Sequence, residues 1–289
     1  AIPIIIQNLL TNLVSMADNI MVGQLGTNQM SGVAIINQLF FVFNLLVFGG
    51  MSGAGLFSAQ YFGQKNHNGV RDVFRMKILI GIAIIAISLS VMIFLHEPLI
   101  NMFLHEGSSS GNIQETFNYA KNYLYIMVIG IAPFVISNCY NTTLKESGQT
   151  VVPMKAGVLA VVFDIVLNYI FIFGKLGFPA MGVVGAAIAT VISRFVECGY
   201  LVIYTHSNDY PFIKHCYRTL KVPGSLVKKI IVTGTPLMLN EFLWAGGLTL
   251  QTQALSTKGL ATVGGLNICN TIGNISNCIF VTMGTTIAI

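Results

Sequence analysis

Apolar residues run in blocks of about twenty along this chain, with polar residues gathered in short stretches between them. The blocks fall at 2–23, 37–61, 77–95, 123–144, 151–173, 183–204, 228–255 and 263–289. A bilayer's hydrocarbon core is about 30 Å thick, which about twenty helical residues cross. Strands of a membrane barrel would instead be about ten residues long and strictly alternating, and no block alternates in that way. The pattern therefore predicts an all-α polytopic membrane protein. The first block lacks a basic leader and a small-residue cleavage site, so it is read as a span rather than a signal peptide.

Within that block the polar residues Asn8, Thr11, Asn12, Ser15, Asp18 and Asn19 recur at helical spacing and share one face. A polar stripe on a spanning helix faces protein or a water-filled cavity, because lipid offers it no partner. One reading is a structural stripe around a permanently protonated acid. The other, preferred here, is a cavity-facing Asp18 on an ion or proton path, since acids inside membranes are costly. In the fifth block Asp164 and Asn168 lie four residues apart, again on one face. With Asp18 they offer several oxygens to a sodium ion; a desolvated aspartate equally suits a proton carrier. The seventh block carries Glu241, with Trp244 one turn later and Gln251 and Thr252 beyond. A carboxylate beside an indole face suits an organic cation, while the plain alternative is a tryptophan packed between helices. Arg194 and Glu197, three apart, are expected to pair with each other, or Arg194 to snorkel, in a structural role either way. The clusters "FGGMSGAG" (48–55) and "GVVGAAIAT" (182–190) are expected to let helices approach closely.

The chain also repeats itself. An offset that carries Pro3 to Pro236 carries Gly26 to Gly259, Gly32 to Gly265 and Asn37 to Asn270. Six blocks separate the copies, so both cross the membrane in the same direction, as in transporters with a substrate path between two lobes. The second copy stops about two helices in, which reads as part of a twelve-helix protein.

Composition agrees with the pattern. The 289 residues are 54% hydrophobic and 9% charged with a mean hydropathy of +0.74, where soluble domains carry about 25% charged residues. The net charge of +5 is distributed as a topology signal. Lys65, Arg71, Arg75, Lys77, Lys145, Lys155, Lys214, Arg218, Lys221, Lys228 and Lys229 fall on one set of connections. Only Lys121, Lys175 and Lys258 fall on the other, beside Glu97, Glu106 and Glu115. By the positive-inside rule the N-terminus is cytoplasmic and the basic loops bind no nucleic acid. The five scattered cysteines read as packing residues. No nucleotide-binding GxxxxGK[ST] and no HExxH occurs, so no enzyme is expected, and any pumping must run on an ion gradient.

The segments "PIIIQNLLTNLVSMADNIMVGQLGT", "GLFSAQYFGQKN", "LKESGQTVVPM" and "LNYIFIFGKLGFPAMGVVGAAIATVISR" resemble, in order and spacing, the multidrug and toxic compound extrusion (MATE) family. The resemblance implies two six-helix lobes: residues 1–206, a cytoplasmic linker at 207–229, and the start of a second lobe at 230–289. It also implies export of organic cations across the plasma membrane in exchange for sodium ions or protons, by a protein expected to be monomeric and to need no cofactor beyond that ion. Asp18, Asp164 and Asn168 fall where the family's first-lobe coupling residues do, and Glu241 at its seventh-helix glutamate. One family branch has Asn before Asp on the fifth helix; here the order is exchanged, which bears on the choice of ion. Asn8, Ser15, Asn37, Trp244 and Gln251 are the expected cavity residues. The nearest rival is a flippase for lipid-linked or polysaccharide precursors. Its diphosphate cargo calls for basic cavity residues, whereas the cavity charges expected here are mostly acidic.

Overall fold

The computed structural model describes residues 2–104, 112–208, 210, 212, 213, 216–219 and 221–258, and, further on, 262, 264–266, 268–270, 272 and 273. The helices are α1 (Ile2–Gly23), α2 (Thr27–Gly63), α3 (His67–Phe94), α4 (His96–Asn101), α5 (Ile113–Ile129), α6 (Ile131–Glu146), α7 (Val151–Phe173), α8 (Val183–Ser207) and α9 (Gly224–Ser256), with one 3-10 turn at Cys216–Arg218. No strand occurs among the described residues. The described residues from 262 to 273 are helical, and the rest of the eighth predicted block, with Cys278, lies outside the described residues. So do Glu106, Lys214 and Gly259.

Two helices, α2 and α3, start earlier than their apolar runs, because polar turns extend them. Before α3 the Asn66 side chain accepts from Gly69 N at 3.0 Å, satisfying an orphan amide of the first turn. Gly26, at φ 133°, turns the chain into α2. The predicted block 123–144 is broken instead of continuous: α5 and α6 meet at Gly130 with a bend of 47°. Pro133 explains the break, since it has no N–H to return to the carbonyl of Ile129.

By length and hydropathy α2, α3, α7 and α8 can each cross a membrane, as can the bent α5–α6 pair. Helices α1 and α9 match their predicted bounds closely but are more polar, and both line the cavity described below. Helix α2 is central, packed against α3, α5, α6 and α9, while α7 lies between α1 and α8. The small-residue cluster 48–55 is where α2 meets α9. A Cβ on Gly53 would overlap the Gly234 Cα, whereas one on Gly234 would stand 3.3 Å from the Gly53 Cα. Gly53→Ala should therefore destabilise by about 1–3 kcal/mol through overpacking, and Gly234→Ala by less. Gly246→Ala, with nothing within 4 Å, should be neutral or slightly stabilising. Thermal unfolding of the three variants in detergent checks the ranking.

Two basic residues counted as loop charges belong to the interior. Lys77 lies within α3, fully buried, and Arg75 is 7% exposed. Arg75 pairs with Asp72 at 2.9 Å and its Nε donates to Cys216 O at 3.0 Å. Phe212 packs on Phe74 with ring centroids 5.4 Å apart, and the Tyr217 and Tyr140 hydroxyls share a hydrogen bond. The segment after α8 is thus bracketed onto α3 and α6 before the chain enters α9. Burial and the Tyr140 hydroxyl, respectively, push the Tyr217 phenol up and partly back down.

Candidate functional site

A cavity of about 570 Å³ opens between α1, α2, α5, α8 and α9. The internal repeat explains where it lies. The same offset that relates Pro3 to Pro236 relates Asp18 to Gln251, Asn19 to Thr252, Val33 to Leu266 and Asn37 to Asn270. All eight of these residues line the cavity. A space walled by equivalent positions of two copies sits on the axis relating them, where a two-lobed transporter places its substrate. Gln38 Nε2 donates to Thr249 Oγ1 at 3.2 Å across the α2–α9 contact. The Phe41 and Trp244 rings, tilted at 58° with centroids 5.9 Å apart, form an aromatic wall from the same two helices.

Asp18 is the acid of the lining among the described residues, and behind it lies a buried cluster. Asn168 Nδ2 donates to Asp18 Oδ1 at 2.7 Å and to Asp164 Oδ2 at 3.2 Å. One amide nitrogen thus holds two carboxylates, using both of its hydrogens. Ser193 Oγ lies 3.2 Å from Asp164 Oδ1 and 2.8 Å from Thr190 O, with one hydrogen to give. Asp164 is 4% exposed and Asn168 fully buried. The other amide atom, Asn168 Oδ1, is buried without a hydrogen-bond partner. A buried acceptor left open beside two carboxylates is costly unless a cation, a proton on a neighbour or a water meets it. Earlier on α1 the stripe satisfies itself: Thr11, Asn12 and Ser15 side chains donate to carbonyls one turn back, at 2.9, 3.0 and 3.2 Å. Asp18 is the stripe's ionisable member.

Of the residues expected from sequence, Ser15, Asn37, Trp244 and Gln251 line the cavity with Asp18. Asp164 and Asn168 join Asp18 from behind. Asn8 and Glu241 do not line it. They are repeat-equivalent to each other, and each lies about three turns from the lining pair Asp18 and Gln251 on its own helix. Glu241 instead packs against α2, its Cβ 3.6 Å from where a Cβ on Gly49 would be. Arg194 is a further correction. It forms no ion pair with Glu197 within 4.0 Å; its guanidinium carbon lies over the Phe40 and Phe134 rings, 5.4 and 5.0 Å from their centroids, and it lines the cavity. The described lining therefore carries one acid and one base, not mostly acids. Tyr123, Asn44 and Thr190 also line it; no periodicity in their own segments marked them.

The MatE family profile matches residues 3–170. The chain belongs to the MatE family. It is similar to a probable multidrug resistance protein NorM of Thermotoga maritima, 31% identical over 93% of this chain and 56% of that one. A probable multidrug resistance protein YoeA of Bacillus subtilis is 28% identical over 84% of this chain and 51% of its own. This MatE chain thus spans little more than half the length of those curated relatives. Among solved structures, the MATE multidrug transporter DinF-BH, solved as a ligand complex, superposes with a TM-score of 0.82 at 22% identity, over 97% of this chain and 61% of that one. An outward-facing MATE family transporter of the MOP superfamily gives 0.76 at 20% identity, over 99% and 66%. Its membrane-length apolar helices and its family make this MatE chain a multi-pass membrane protein.

Proposed function

We propose that the protein is a secondary antiporter that exports amphipathic organic cations across the plasma membrane, in exchange for sodium ions or protons. The carrying observation is the Asp18–Asn168–Asp164 cluster, which opens through Asp18 into a cavity between repeat-related helices. Residues 1–206 and 230–289 belong to two lobes that rock about that cavity, and the N-terminus is cytoplasmic. A coupling ion entering from outside offsets one negative charge of the Asp18–Asp164 pair, and a sodium ion there would also meet the open Asn168 Oδ1. A positively charged cargo held near Asp18 then loses its counter-charge and leaves. Differential binding of ion and cargo to the two lobe arrangements is what drives exchange. Glu241, on the opposite helix pair, belongs to the second lobe's own interactions with ion or cargo.

The test uses the full-length protein in proteoliposomes loaded with a fluorescent organic cation. An inward sodium gradient is imposed on one set and an inward proton gradient on another. Dye efflux under one gradient supports the reading and names the ion. Efflux under neither overturns it in favour of the precursor flippase.

A further inference from the structure

We propose that Arg194 is a receptor for an acidic group on the cargo, so that the preferred cargo is zwitterionic: an aromatic amphiphile bearing a carboxylate as well as a cation. This rests on the transport reading above and deepens it. Arg194 projects from α8 into the cavity wall. Its guanidinium carbon lies over the Phe134 ring of α6 and the Phe40 ring of α2, 5.0 and 5.4 Å from their centroids, contacts that hold the group in place without supplying a hydrogen-bond acceptor. Of its five N–H groups, one meets Gly130 O at a long 3.5 Å. No carboxylate lies within 4.0 Å of it among the described residues. The protein's internal ion pairs elsewhere are closed: Lys77 with Glu146 and Arg75 with Asp72. A guanidinium facing a cavity with no carboxylate in direct contact is a fork for a planar anion, and a carboxylate fits it in two parallel hydrogen bonds. Asp18 and the Phe41–Trp244 wall line the same space, so an aromatic body can present its cation to the acid and its carboxylate to the arginine.

The probe is a cationic xanthene dye in two forms, the free carboxylic acid and its ethyl ester. Both keep the cation and ring system, and only the acid offers a carboxylate. Binding to the full-length protein in detergent is read by fluorescence polarisation. The acid should bind about tenfold more tightly than the ester, the range of a charged hydrogen-bonded pair. Arg194→Gln should erase that difference while leaving ester affinity within about twofold, and Arg194→Lys, which keeps the charge but not the fork, should retain part of it. Ester binding is the internal measure of an intact site. Equal affinity for both forms in the unmodified protein, or equal weakening of both by Arg194→Gln, overturns the assignment and leaves the transport reading standing. If neither form binds, the organic-cation reading falls and the assignment falls with it.

Discussion

Asp18→Asn should abolish gradient-driven efflux and weaken equilibrium binding of the cationic dye, whose counter-charge in the cavity is Asp18. The side chain is isosteric, so α1 keeps its packing on α7, and an amide oxygen can still accept from Asn168 Nδ2 in place of the 2.7 Å bond. What disappears is the ionisable group through which the cavity exchanges a cation with water. Coupling between two ligand sites is typically about 1–3 kcal/mol, or roughly 5–150-fold. Removal of the sole acid in the described lining should therefore lower the initial efflux rate by about 100-fold, near the top of that range. The repeat sharpens the expectation, because the position equivalent to Asp18 in the second copy is the neutral Gln251. Among the described residues of the lining, no second acid stands across the cavity to take over. Asp164→Asn, one layer further from the cavity, should cost less. The measurement is initial dye efflux from proteoliposomes beside polarisation binding of the same dye. Undiminished efflux in Asp18→Asn would make the acid structural and remove the coupling role.

How much of this was legible in the sequence depends on which regularity each residue obeys. Helix periodicity found the polar stripe of α1, and the interior offers a reason: such a stripe must face a cavity, and it does at Ser15, Asp18 and Asn19. The same rule over-extended to Asn8, since a stripe's angular position says nothing about how far along the helix the cavity reaches. The repeat holds more information than its prolines and glycines alone convey. Asn37 and Asn270 are paired in sequence, and the same offset applied to every polar residue marks Gln251 and Thr252 as partners of Asp18 and Asn19. It also ties Asn8 to Glu241, two positions that fall outside the lining together.

Arg194 and Lys77 show where reading by sequence neighbours fails. Spacing of three suggested an Arg194–Glu197 pair, a rule for exposed helix surfaces. Against two aromatic rings from α2 and α6 the guanidinium gains more by stacking, and those helices are distant in the chain. Lys77 looked like a loop charge because the apolar run begins beside it, yet α3 starts at His67 behind its Asn66 cap. Without Lys77 and Arg75, nine of the eleven basic residues on that side still stand against three on the other, so the positive-inside bias persists. The break at Gly130 was legible: Pro133 stands inside the predicted span, and a helix interior cannot supply its missing donor.

The burial of Lys77 leads to the second large expected effect. Its Nζ donates to both oxygens of Glu146, at 2.7 and 2.6 Å, and to Thr142 and Thr143 Oγ1, at 3.0 and 3.3 Å. The ammonium is thus fully partnered where α3 meets the end of α6. Glu146 in turn lies against α2, where a Cβ on Gly55 would be 2.5 Å from Oε1, close to the Gly53–Gly234 crossing. Lys77→Met keeps length and packing but strands a carboxylate whose side chain is only 11% exposed. Breaking a buried pair from one side typically costs about 3–5 kcal/mol, mostly the penalty of the abandoned charge. Lys77→Met should accordingly lower the melting temperature in detergent by roughly ten degrees, taking a few degrees per kcal/mol. Adding Glu146→Gln should restore most of that loss, since the second change removes the stranded charge. A topology signal would behave differently: Lys77→Met would leave the melting temperature in place and the double variant would gain nothing. Recovery in the double variant is therefore the decisive outcome, because it separates a charge that holds three helices together from one that only oriented the chain during insertion.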